Sequence, residues 1–80
     1  MIVPTKIVAK EKDVEIALML FPIFNEETQY EFQLVEFYES KRRLKKSKVY
    51  KEPLDFEAIG KEFGVKPEGI KELVDKLYSS

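Results

Sequence analysis

Half of the fourteen basic residues lie in eleven consecutive positions: Lys41, Arg42, Arg43, Lys45, Lys46, Lys48 and Lys51. Closely spaced cations bind phosphate without further machinery, because their charge displaces the counterions condensed on a polyanion. Arg42 and Arg43 add the planar fork that matches phosphate oxygens. The competing reading is a solvated surface balanced by the acids next door. The net charge of −1 hides a segregation: residues 1–24 sum to zero, 25–40 to −5, 41–51 to +7 and 52–80 to −3. A polyanion meets the local field, not the total.

Other chemistries lack their usual tools. The chain has no cysteine and no histidine, so disulfides, thiol nucleophiles, zinc–thiolate sites and the commonest general base are missing. The carboxylates of Glu26 and Glu27 are adjacent but have no third ligand type nearby. No phosphate-binding loop, nucleophile motif or redox motif is present. The expectation is a protein that is not an enzyme and needs neither cofactor nor metal. Tyr30, Phe32, Phe37 and Tyr38 could stack on bases, but a chain of 80 residues needs its aromatics for the core.

Length allows one domain, residues 1–80, and an apolar share of 44% is that of a folded chain. The charged residues are nearly all Lys and Glu, with Asn25, Gln29 and Gln33 the only side-chain amides; this is the compositional habit of proteins from hyperthermophiles. The longest apolar run, Ile16 to Phe24, is nine residues and contains Pro22, well short of a membrane span. Met1-Ile2-Val3-Pro4 lacks the basic region of a signal peptide. A cytoplasmic protein with no membrane partner is expected.

The elements that would position the cations read as follows. Val3 to Ala9 is rich in β-branched residues and Val14 to Phe21 is almost wholly apolar. With the polar Lys10–Asp13 between them, they predict an antiparallel hairpin. Pro22 to Glu27 reads as a break. Gln29 to Tyr38 alternates at Tyr30, Phe32 and Leu34, which favours a third strand. A helix capped by Asn25 competes, since neither Gly nor Pro occurs between Ile23 and Glu52, and it would make the chain an all-α bundle. The preferred fold is α+β: a small N-terminal antiparallel sheet in residues 1–40, a basic segment at 41–52 and a helix-turn-helix at 53–80.

That last segment carries the clearest signals. Asp55 is a preferred N-cap, and Leu54 with Ile59 can close a hydrophobic staple. Phe56, Ile59, Gly60 and Phe63 share one face, and Gly64 stands where a left-handed residue ends the helix. Pro67 suits the first turn of a second helix. Ile70, Leu73, Val74 and Leu77 supply its inward stripe. Two short helices joined this tightly need a third element to cover them, and the first half of the chain must provide it.

The pattern Ile59-Gly60-x-x-Phe63-Gly64-Val65-x-x-x-x-Ile70-x-x-Leu73 resembles the helix-turn-helix superfamily of transcriptional regulators and phage repressors, over about 25 residues. The resemblance implies that the second helix, Pro67 to Tyr78, enters a major groove with its first residues at base edges. This chain departs from the family at the outward positions. Lys66, Glu68, Gly69, Lys71, Glu72, Asp75 and Lys76 stand where members carry Ser, Thr, Gln, Asn or Arg. Phosphates would repel the three acids. The residues expected to touch nucleic acid are therefore those of the basic run, with Lys66 and Lys71 in support. The function expected is a small DNA-binding transcriptional regulator or architectural factor, with RNA as a further ligand for the same run. The other reading is an interaction module, a homodimer or assembly subunit, in which the helix-turn-helix is scaffold.

Overall fold

The computed structural model describes residues 3–25 and 27–79. The expectations resting on Met1, Ile2 and Glu26, including the Glu26/Glu27 pair, lie outside the described residues.

The fold is α+β. Four strands, β1 (Thr5–Glu11), β2 (Val14–Phe24), β3 (Thr28–Tyr38) and β4 (Lys41–Lys51), form an antiparallel meander in chain order. Two helices follow, α1 (Phe56–Phe63) and α2 (Pro67–Ser79). The expected hairpin and third strand are both present, and the all-α alternative is not. Two expectations need correction. The basic run is not a segment between sheet and helices; it is the sheet's fourth strand. Pro22 does not end β2, which runs on to Phe24 and pairs Pro22 with Tyr30. The reason lies in strand parity. Leu20 donates its N–H towards β1, to the Pro4 carbonyl at 3.1 Å, so the nitrogen of Pro22, two residues on, also faces the β1 side. The paired residues of β1 reach no further than Met19, and a missing N–H costs nothing there.

The helices cover one face of the sheet. Leu18, Leu20, Tyr30 and Phe32 from the strands close on Ile59, Phe63, Ile70 and Leu73 from the helices, all buried. Tyr30 and Phe32 thus go to the core, while Tyr38 remains exposed. Phe32 is the hinge of this packing, with its ring 5.9 Å from that of Tyr50 edge-on and 6.2 Å from that of Phe63.

The helix signals are met locally. The Asp55 side chain accepts from the Ala58 N–H at 3.1 Å. Gly64 is left-handed at φ 71°, and the N–H groups of Gly64 and Val65 both reach the Gly60 carbonyl. α2 begins at Pro67. Asp55→Ala should lower stability by about 1 kcal/mol through the lost cap, read as a lower midpoint in urea unfolding. An unchanged midpoint would show that water replaces the carboxylate at no cost.

Candidate nucleic-acid interface

β4 is an edge strand, so one side of its backbone is free and its side chains alternate between the two faces of the sheet. A bulge interrupts that alternation. Leu34 pairs with Lys46 but Val35 pairs with Leu44, which leaves Lys45 as the extra residue. Lys46, Lys48 and Tyr50 therefore lie with Leu34, Phe32 and Tyr30 on the helix side, as do Lys41 and Arg43 beyond the bulge. Arg42, Leu44, Val49 and Lys51 lie on the opposite face. The seven cations do not form one row; they wrap an edge.

Most of them have partners. Lys46 Nζ donates to the Glu62 carbonyl at 2.7 Å, lies 3.3 Å from the Glu62 carboxylate and sits over the Phe63 ring. A cation at the last turn of α1 also suits the helix dipole. Lys48 reaches the same carboxylate at 3.7 Å and covers the Tyr50 ring. Lys45 pairs with Glu36 at 3.8 Å and Lys51 with Glu27 at 3.1 Å. Arg42 donates to Gln33 at 3.2 Å. Lys41 and Arg43 have no ion pair among the described residues. Glu62 is the residue that sequence reasoning missed. It lies far along the chain from the lysines it binds, and no local spacing marks it.

α2 lies on the same face but over the β1–β2 half of the sheet. Lys6 of β1 pairs with Glu72 at 3.1 Å, and a Cβ built on Gly69 would meet the Lys6 chain. Four strands spaced about 4.8 Å apart put β1 roughly 14 Å from β4. Lys66 and Lys71 are thus not brought together with the basic run, and the expected arrangement of α2 beside that run is corrected. The outward residues of α2 are also engaged with one another: Lys71 with Asp75 and Lys76 with Glu72, both at 3.4 Å. Lys6 and Lys76 hold the Glu72 carboxyl below its usual range, by hydrogen bonding first and charge second.

At the sheet end near the chain's turn into α1, three polar groups meet. The Tyr30 hydroxyl donates to Glu52 Oε1 at 2.5 Å and is also hydrogen-bonded to the Tyr78 hydroxyl. Burial, then the bonds to Glu52 and Tyr78, push the Tyr30 hydroxyl well above the ordinary tyrosine range. The folded state therefore keeps a proton that the unfolded chain releases at about pH 10, so this contribution to stability is intact below that pH and lost above it. Melting temperature should fall as pH rises past about 10, and the fall should be shallower in Tyr30→Phe; parallel slopes for the two proteins would refute the assignment. The Tyr50 hydroxyl, by contrast, is buried without a hydrogen-bond partner among the described residues, and burial, followed by the nearby Glu62, raises its pKa. Removing an unsatisfied buried hydroxyl relieves its desolvation cost. Tyr50→Phe should melt at or slightly above the wild-type temperature, and a clear loss of stability would mean that the hydroxyl has a partner in solution.

The fold and this edge define a four-stranded meander capped on one face by two helices, with a cationic edge strand. No family model, no curated protein and no solved structure matches the chain. Among the described residues no helix is long and apolar enough to cross a membrane.

Proposed function

We propose that the chain is a small nucleic-acid-binding protein that holds duplex DNA electrostatically along β4, as a transcriptional regulator or architectural factor of the cytoplasm. The carrying observation is the charge surplus on that edge. Four lysines share only three carboxylates, those of Glu27, Glu36 and Glu62, while Lys41, Arg42 and Arg43 face no acid within ion-pair distance among the described residues. Pairs this exposed contribute about 0–1 kcal/mol each and yield to a phosphate that brings stronger charge. The helix-turn-helix acts here as a scaffold that supports the inner face of β4 through Glu62 and Phe63. Base reading by α2 has little to support it, because Glu68, Glu72 and Asp75 stand among its outward residues.

Titration against random duplex DNA and against single-stranded RNA, each at low and physiological salt, tests this reading. The expected result is weak sequence preference and an affinity for duplex that falls steeply with salt, by about 0.9 log units per log unit of salt for each phosphate contact. Tighter binding of RNA would transfer the reading to RNA. Failure to bind either at low salt removes it. The lysines of β4 would then be the guard that edge strands carry against pairing with other edges. A second reading, an interaction module, would take its place, and it is favoured by the acidic outer surface of α2.

A further inference from the structure

The helices account for only one face of the sheet. On the other face, strand pairing sets Ile7, Ala17, Val35 and Leu44 in a row across all four strands, with Phe21 and Val49 beyond it. Ala17 and Val35 are buried by their neighbours, but Ile7, Leu44 and Val49 are 49%, 53% and 46% exposed. β2 is the telling strand. An antiparallel strand with one wet face alternates apolar with polar residues, whereas one covered on both sides is continuously apolar. From Ile16 to Phe24, β2 has no polar residue. Its sequence is that of a strand at the centre of two layers, and the described residues supply one.

Charge and area identify the second layer. The open face carries Lys10, Arg42 and Lys51 against Glu15 and Glu31. Lys10 pairs with Glu15 at 3.6 Å, and Gln33 bridges Arg42 and Glu31 with hydrogen bonds of 3.2 and 2.7 Å. With a net charge of only +1 and its charges largely paired across the strands, such a face does not repel a copy of itself. Three strands of eleven residues and one of seven present roughly 630 Å², from a rise of about 3.3 Å per residue and a spacing of about 4.8 Å. That falls within the roughly 600–1,000 Å² that each partner contributes to a standard stable interface. We infer that the occupant is a second copy of this chain, the two sheets stacking face to face about a two-fold axis with their apolar rows interdigitated. This inference does not rest on the nucleic-acid reading, and its test uses no nucleic acid.

Sedimentation equilibrium over a range of concentrations reads it directly. The wild-type chain should sediment at twice its 9.4 kDa mass and dissociate only on dilution. The double variant Ile7→Glu, Leu44→Glu places carboxylates in the central row at exposed sites. It should weaken association by on the order of 100-fold or more, because each copy would bury unpaired charge. Val49→Lys, further from the row, should weaken it less and serves if the double variant loses its circular dichroism spectrum. A wild-type protein that stays monomeric at high concentration overturns the inference. So does a dimer that folded Val49→Lys and the folded double variant both form as tightly as wild type, since that dimer uses another surface.

Discussion

Gly60→Ala should lower stability by about 2–3 kcal/mol, although alanine is the better helix former by about 1 kcal/mol. The added Cβ would stand 2.3 Å from the Val65 carbonyl oxygen and 3.5 Å from the Pro67 nitrogen. Both are backbone atoms, so no rotamer change relieves the contact. The turn must move, and the turn is held by the same residue, since the Gly60 carbonyl accepts the N–H groups of Gly64 and Val65. Ile59, Phe63 and Ile70 on either side are buried in the core, which prevents α1 from sliding away. For a domain of this size the loss corresponds to a fall of roughly 10–20 °C in melting temperature. Gly64→Ala provides the contrast. Its Cβ would meet nothing within 4 Å, so only the left-handed φ is penalised, at about 1–2 kcal/mol. Thermal unfolding followed by circular dichroism would rank the two, and a Gly60→Ala protein that melts with or above wild type would disprove the close approach.

The second large effect concerns binding. Replacing Lys41, Arg42, Arg43 and Lys45 together by alanine should reduce the salt slope for duplex DNA by about two to four units. Lys46 is left in place because it holds α1 through the Glu62 carbonyl and the Phe63 ring, and its loss would mix stability with affinity. The four chosen side chains are exposed, and the only hydrogen bond or ion pair of Lys45 among the described residues is the long one to Glu36, so the fold should survive. Lys66→Ala with Lys71→Ala should change the slope by less than about one unit, because those residues lie across the sheet from β4 and Lys71 is already paired with Asp75. Isothermal or fluorescence titration at several salt concentrations reads both slopes. A quadruple variant that keeps its slope while the Lys66/Lys71 variant loses it would place the interface on α2.

The helical pair was legible because everything that specifies it is local. A cap acts within three residues, a left-handed glycine within one turn, and the apolar stripes of α1 and α2 repeat within a few turns. Asp55, Gly64 and Pro67 each have the role their types and positions imply. One detail only the structure shows: Gly60 makes room for the backbone of the turn at Val65 and of the start of α2 at Pro67. The first hairpin was legible for a related reason, since a β-branched run and an apolar run lie on either side of the polar Lys10–Asp13.

β4 was not legible, and the cause is physical. Its only apolar residues are Leu44, Val49 and Tyr50, which fit no period of two, because the bulge at Lys45 reverses the side on which every earlier residue falls. The turn before it, Glu39-Ser40, offers no glycine or asparagine, yet Glu39 adopts φ 55° and closes a two-residue hairpin. An edge strand owes its existence to pairing with its neighbour, here β3, and pairing is invisible to a local reading. The same holds for the candidate site. Amino-acid type and spacing alone determined that seven cations lie within eleven positions and that the outward side of α2 is poor in base-reading groups. Which cations Glu36, Glu62 and Glu27 neutralise, and that Lys66 and Lys71 stand across the sheet from the rest, were decided only when the meander closed, because those distances depend on sheet order and register, which no stretch of sequence encodes by itself.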